Sequence, residues 1–291
     1  MRYAGSVSAF FGIWLFVRLT VPLASGSGFS INEVRVCGQA STWSCPERVE
    51  RYRLVFVRSG CYRMRAPELD VLVDPTTAYV MCPGQHPLIA HKPASEHVCT
   101  EILLSKDLLV ERAGAELPAA NRIVFTDGLV DLDHRALVAQ LKRRARAFEL
   151  EERVLGLAGA VLKVPWREAA DGSRAGSTTR RRAVQHAREL LNDDPARPGL
   201  TRLAQQAGVS PCYLSRIFRL ETGETLSRLR NRIRIRRALE RIEAREGDLA
   251  ALALELGFSD QAHFTRTMCE EVGIPPTLVR RELAVRGLAG S

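Results

Sequence analysis

Leu200-Thr201-Arg202-Leu203-Ala204-Gln205-Gln206-Ala207, then Gly208-Val209-Ser210, then Pro211-Cys212-Tyr213-Leu214-Ser215-Arg216-Ile217-Phe218-Arg219-Leu220 reads as an apolar helix, a Gly-x-Ser turn and a second helix that starts at once. The same grammar returns downstream, as Asp248 to Leu256, then Gly257-Phe258-Ser259, then Asp260 to Val272. Glycine tolerates the left-handed conformation that stops a helix abruptly, and a serine just beyond can cap the free N–H groups of the next helix. Such helix-turn-helix units place the second helix in the major groove of DNA while the first braces it. One copy is a weak signal, because many all-helical proteins contain a hairpin with a glycine turn. Two copies at similar internal spacing point to DNA.

Between them Leu226, Leu229, Ile233, Ala238 and Ile242 recur at helical intervals, while Arg228, Arg230, Arg232, Arg234, Arg236, Arg237 and Arg241 fill the rest of the surface. A long spacer helix is predicted, with its arginines expected to neutralise phosphates between the two units. The whole stretch resembles the DNA-binding domain of the AraC/XylS transcription regulators, two helix-turn-helix subdomains joined by one helix. The resemblance rests on Gly208 through Phe218, Thr222-Gly223, Arg234 with Ala238, Gly257-Phe258-Ser259-Asp260-Gln261 with Phe264 and Arg266, and Gly273-Ile274-Pro275-Pro276 with Arg280. Met268, Cys269 and Val279 depart from the family pattern. Met268 and Val279 keep an apolar role, and Cys269 forgoes a cation.

On the first recognition helix Cys212, Ser215, Arg216 and Arg219 share one face, with Ser210 at its start, while Tyr213, Leu214, Ile217 and Phe218 are expected to pack inward. The resemblance implies that Cys212, Ser215 and Arg216 approach base edges. Arg216 suits guanine O6 and N7, a phosphate contact or internal ion pair being the alternative. On the second helix Gln261, Ala262, Thr265 and Arg266 line the outward face with His263 at its margin, while Phe258 and Phe264 are expected in the core. Gln261 can pair with adenine, Thr265 can meet a thymine methyl, and Arg266 can reach guanine or phosphate.

With 291 residues the chain has room for two domains. Much of the net charge of +9 comes from residues 180–291, which hold 20 Arg and no Lys against 14 acidic residues. A planar guanidinium donates paired hydrogen bonds to phosphate or guanine, although a solvated helix face explains part of such an excess. Seven dispersed cysteines, with no C-x-x-C pair, fit reduced thiols in a cytoplasm and indicate no zinc site. Residues 1–28 sit awkwardly with that compartment. Arg2, the apolar run Ala9 to Val17 and Ala24-Ser25-Gly26 look signal-like. The readings are a non-native or mis-called upstream extension, an ordered or floppy appendage of a cytoplasmic protein, or a true export or anchoring signal.

From Phe29 to about Leu104 short apolar runs alternate with turn chemistry. Leu54–Val57 and Tyr62–Arg65 flank Ser59-Gly60, Leu69–Val73 and Thr77–Met81 flank Asp74-Pro75-Thr76, and Pro87–His91 follows Cys82-Pro83-Gly84. Such spacing predicts an all-β sandwich or barrel, similar in general to the cupin-like sensory half of many AraC/XylS proteins. The His-x-His pair of metal-holding cupins is missing. His86, His91 and His97 with Cys82 and Cys99 could gather at one site, but isolated side chains of this kind more often pack or lie on the surface, so no metal or other cofactor is assigned. Amphipathic helices are expected over Asp131–Phe148, with Leu137, Leu141, Ala145 and Phe148 on one stripe, and over Glu149–Leu162.

The expected architecture is α+β. A cupin-like β-barrel with a helical cover occupies residues 29–164, a linker 165–179, an all-α DNA-binding domain 180–285 and a tail 286–291. The function read from this is a non-enzymatic, sequence-specific transcription regulator acting on double-stranded promoter DNA, with an effector-sensing or dimerising first domain. RNA polymerase, a small-molecule effector and a second copy of the chain are compatible partners. The alternative is a DNA-repair methyl acceptor carrying the same type of DNA domain, which needs a four-cysteine zinc cluster that Cys37, Cys45 and the lone cysteines after them do not supply. A third reading is an interaction module that has lost DNA binding.

Overall fold

The computed structural model describes residues 16–38, 43–44, 48–66, 69–92, 95–112, 117, 121–141, 147–163, 176–196, 199–244 and 247–285. The chain is α+β and divides into two compact units, residues 1–166 with 281–291 and residues 167–280. Among the described residues, no helix is long and apolar enough to cross a membrane.

The first unit is built on strands β1 (Phe16–Gly26), β2 (Phe29–Gly38), β3 (Tyr52–Ser59), β4 (Tyr62–Ala66), β5 (Leu69–Val73), β6 (Thr77–Met81), β7 (Leu88–Ala90), β8 (Ser95–Leu104) and β9 (Arg122–Phe125). One sheet runs β1-β2-β8-β3-β6-β9 and the other β5-β4-β7. The strands expected around Ser59-Gly60 and Asp74-Pro75-Thr76 are present, but β3 and β4 belong to different sheets. Asp74 makes the second turn by accepting from the backbone N–H and hydroxyl of Thr76 at 2.9 and 2.6 Å.

Alternation along the strands creates two cores. Phe29 and Ile31 of β2, Leu54 and Phe56 of β3, Ala78 and Val80 of β6, and Ile102 and Leu104 of β8 form one, closed by Leu137 and Leu141 of α1 (Gly128–Leu141) and by Leu150, Val154 and Leu157 of α2 (Ala147–Lys163). The intervening residues Val34, Val36, Val55, Val57, Tyr79 and Cys99 face the second sheet's Tyr62, Met64 and Val73. α1 starts three residues earlier than expected and reaches Leu141; Ala145 lies outside the described residues.

The segment 16–26, within the stretch read as a signal-like or spurious extension or an ordered or floppy appendage, forms β1, paired antiparallel with β2 from Phe16↔Gly38 to Gly26↔Phe29. An apolar run rich in valine, leucine and threonine suits a strand as well as a signal core. Arg18, which interrupts that run, ion-pairs with the buried Glu101 of β8 at 3.4 Å, and Arg53 of β3 meets the same carboxylate at 3.2 Å. Residues 1–15 lie outside the described residues.

Polar groups in this interior are tied to one another. Asp131 and Arg135 of α1 pair at 2.9 Å, Arg135 donates to the Arg58 carbonyl at 3.1 Å, and Arg58 donates to Glu33 at 2.7 Å. His134 stacks on Phe56, ring centres 4.5 Å apart. The rings of His91 and His97 stack at 4.7 Å beside Tyr62, whose hydroxyl donates to Tyr79 at 2.9 Å and lies 3.8 Å from the Cys99 sulfur.

Burial lowers His91 to about 4 and His97 to about 3, the latter also through the neighbouring His91 and Arg18 charges. Both imidazoles are therefore neutral in the fold near pH 7, while in the unfolded chain they take up protons through the ordinary range near about 6.5. Their contribution to stability is full above that range and is lost as pH falls toward 4 and 3. Thermal melts followed by circular dichroism should show the midpoint falling between pH 7 and pH 4, and a His91→Gln, His97→Gln double variant should show a shallower fall.

Candidate nucleic-acid interface

The second unit consists of α3 (Gly176–Asp193), α4 (Leu200–Gln206), α5 (Pro211–Thr222), α6 (Leu226–Glu243), α7 (Leu249–Glu255), α8 (Gln261–Val272) and α9 (Pro276–Val285, whose last residues lie beyond it). α3 takes in the end of the stretch expected to be linker; residues 164–175 lie outside the described residues. The two predicted helix-turn-helix units are α4–α5 and α7–α8.

Their glycines sit where the backbone requires them. Gly208 and Gly257 turn between helices at φ 68° and 83°, and Gly223 and Gly273 end the recognition helices at φ 77° and 81°. At Gly257 space is short as well, since a Cβ would come within 2.8 Å of Ala196 Cα and of an Arg234 guanidinium nitrogen. The caps differ between the copies. Ser210 accepts from the Tyr213 N–H at 3.3 Å and Pro211 takes the first helical position, as the sequence suggested. In the second copy the capping residue is Asp260, which accepts from the His263 N–H at 2.7 Å, while Ser259 turns its hydroxyl to Asp260 and His263. That turn is one residue longer, so Ser259 stands too early to cap. Aligning the copies on their glycines shows an Asp at the extra place.

Cys212, Ser215, Arg216 and Arg219 are all exposed on α5, while Leu214, Ile217 and Phe218 are buried against α3, α4 and α6. Tyr213 does not pack inward as expected. It is 38% exposed, and the Arg216 guanidinium lies 5.3 Å from its ring centre. The stack restrains an otherwise mobile arginine. On α8, Gln261, Ala262 and Arg266 are exposed and Thr265 and His263 half-buried, with Phe258 and Phe264 in the core. Gln261, Ala262, Thr265 and Arg266 line one shallow concavity; Tyr213, Arg216, Arg219 and Leu220 line another with Arg180 of α3. Met268 and Val279 are buried and Cys269 is exposed.

Most of the spacer's arginines, expected to neutralise phosphates, are engaged within the protein, while Arg228 is exposed. Arg232, Arg234 and Arg236 are buried. Arg232 donates to both oxygens of Glu224, just beyond α5, at 3.1 Å, and its Nε lies 3.7 Å from Glu271 of α8. Arg234 donates to the Pro195 and Ala196 carbonyls at 3.0 and 3.4 Å, and Arg237 to those of Asn192 and Asp193 at the end of α3. Carbonyls at a helix C-terminus lack partners within the helix and attract cations. Burial holds Arg234 down to about 10, with the neighbouring Arg230 charge adding to the effect. Arg241 pairs with Glu255 at 3.0 Å. By contrast, Arg216 and Arg219 have no carboxylate partner among the described residues. Sequence alone missed these internal roles because Glu224, Glu271 and residues 192–196 are remote from the arginines they meet.

Of the residues weighed for a metal, His91, His97 and Cys99 come together around Tyr62, His86 is exposed, and the Cys82 N–H donates to Asn121 at 3.0 Å. Among the described residues no three His, Cys, Asp or Glu side chains are arranged to hold a metal ion.

A family of helix-turn-helix domains matches residues 203–282. An HTH-type transcriptional regulator of Mycobacterium tuberculosis is 34% identical over 82 residues, which are 28% of this chain and 32% of the relative, so the chain spans about a third of that protein's length. ToxT from Vibrio cholerae aligns with 89% of this chain and 99% of its own at 12% identity and a TM-score of 0.37. An AraC-type DNA-binding domain-containing regulator from Chromobacterium violaceum aligns with 38% of this chain and 97% of its own at 25% identity and a TM-score of 0.34. TM-scores this low add nothing to the family match.

Removing the Arg232 guanidinium takes the shared cation from two half-buried carboxylates and leaves Glu224 with Arg228 at 4.0 Å. Arg232→Ala should destabilise the second unit by about 1–3 kcal/mol, read as a lower urea midpoint of the helical signal.

Proposed function

We propose that this chain, whose C-terminal unit is a helix-turn-helix domain of the AraC type, is a transcription regulator that reads promoter DNA with α5 and α8 together. The observation that carries the reading is the division among its arginines. Those of the spacer are largely engaged within the protein, whereas Arg216, Arg219 and Arg266 are exposed on the two recognition helices.

In this reading Cys212, Ser215 and Arg216 of α5 face bases, with Arg216 pre-set by Tyr213 for guanine O6 and N7. Ser210 contributes as cap, and Arg219 meets phosphate. On α8, Gln261 pairs with adenine, Thr265 meets a thymine methyl, Ala262 permits close approach, and Arg266 takes guanine or phosphate. α6 has 18 residues, about 27 Å at 1.5 Å per residue. With the width of the flanking units this is of the order needed for two successive major grooves, about 34 Å apart on one face of the duplex. The first unit, in this reading, senses an effector or mediates dimerisation, and RNA polymerase is the further partner a regulator needs.

Arg216→Ala and Arg266→Ala should each cost about 1–3 kcal/mol of specific binding and relax preference at one base position. Equal weakening on selected and random duplexes, measured by gel shift, would make them phosphate contacts instead. Inserting five base pairs between the two half-contacts turns one away by about half a turn and should cut affinity sharply; binding that survives it means only one unit reads the groove.

A further inference from the structure

At the start of α8 three side chains form a directed chain. The Ser259 hydroxyl donates to Asp260 Oδ2 at 3.1 Å, Ser259 Oγ lies 3.1 Å from His263 Nδ1, and Asp260 Oδ1 accepts from the His263 backbone N–H at 2.7 Å. The His263 ring is further held edge-on to Phe258, centres 5.3 Å apart and planes at 88°. Asp260 is kept below the usual carboxylate range, first by the His263 N–H and then by Ser259, with the Arg266 charge adding to this. It is therefore ionised and can only accept.

A serine hydroxyl has one hydrogen, and here it is given to Asp260. The bond between Ser259 and His263 then needs its hydrogen from Nδ1. A neutral imidazole with a proton on Nδ1 carries none on Nε2, which is left as an acceptor on the ring edge away from Ser259.

We propose that Ser259 and Asp260 fix His263 in the Nδ1–H form, so that its Nε2 reads an exocyclic amino group, adenine N6 or cytosine N4, in the major groove. The inference rests on the DNA-binding reading above. In the major groove adenine and cytosine present amino donors where guanine and thymine present carbonyl oxygens. A bare Nε2 accepts from the former and is repelled by the latter. Phosphate oxygens, also acceptors, are poor partners for it. His263 thereby discriminates amino from keto bases, and Ser259 is a positioning residue that acts through it.

The test uses the full chain at about pH 8 and a pool of duplex DNA with a randomised segment. Selected sequences should show one position in the α8 half where adenine or cytosine dominates. His263→Ala and Ser259→Ala should lose that preference by roughly 3- to 10-fold, the worth of one hydrogen bond, while preferences at other positions persist; Ser259→Thr, which keeps the hydroxyl, should retain it. Nitrogen-15 NMR of the free protein should show the His263 proton on Nδ1. An Nε2–H signal, an unchanged amino preference in Ser259→Ala, or equal weakening of His263→Ala on every sequence would overturn the proposal. If the unsubstituted protein enriches no sequence at all, the DNA-binding reading fails, and the NMR result still reports the tautomer separately.

Discussion

The second unit depends on a buried guanidinium. Arg232 holds Glu224, at the exit of the first recognition helix, and Glu271, near the end of the second, so one side chain of the spacer touches both helix-turn-helix copies. Both carboxylates are half-buried and share this cation as a partner, Arg228 lying more distantly at 4.0 Å from Glu224. Arg234 and Arg237 extend the same logic by taking the carbonyls where α3 ends. A helix that looks in sequence like a basic ribbon for nucleic acid is in the fold largely a brace, with Arg228 as its exposed exception.

The two copies are repeats in backbone but not in side-chain device. Glycines with positive φ recur at both turns and both exits. The first copy caps α5 with serine and proline and steadies an arginine on a tyrosine. The second caps α8 with aspartate and steadies a histidine through a serine. Each copy thus begins its second helix from a restrained start, by different chemistry.

Much of this is legible in the sequence because it is local. The glycine turns, the helical periodicity around Phe218 and Phe264, and the strands at Leu69–Val73 and Thr77–Met81 each declare themselves within a dozen residues. What sequence does not supply is pairing over distance. The apolar run of β1 is a strand only through β2 and Glu101, and most of the spacer's arginines read as phosphate ligands because their partners lie elsewhere in the chain. Tyr213 is misplaced for a subtler reason, since an aromatic at a helix margin can serve the core or stack beneath a neighbouring cation.

The position of β1 carries a practical consequence for anyone trimming this chain. Its signal-like appearance invites an expression design that starts after Gly26, yet those residues form the outermost strand beside β2. Such a cut would bare the ten-residue ladder of β2 as a new sheet margin, of the kind that recruits strands from other molecules, and would strip Glu101 of one of its two arginines. Poor solubility of a shortened protein would then report a lost strand and not a failure of the helical unit.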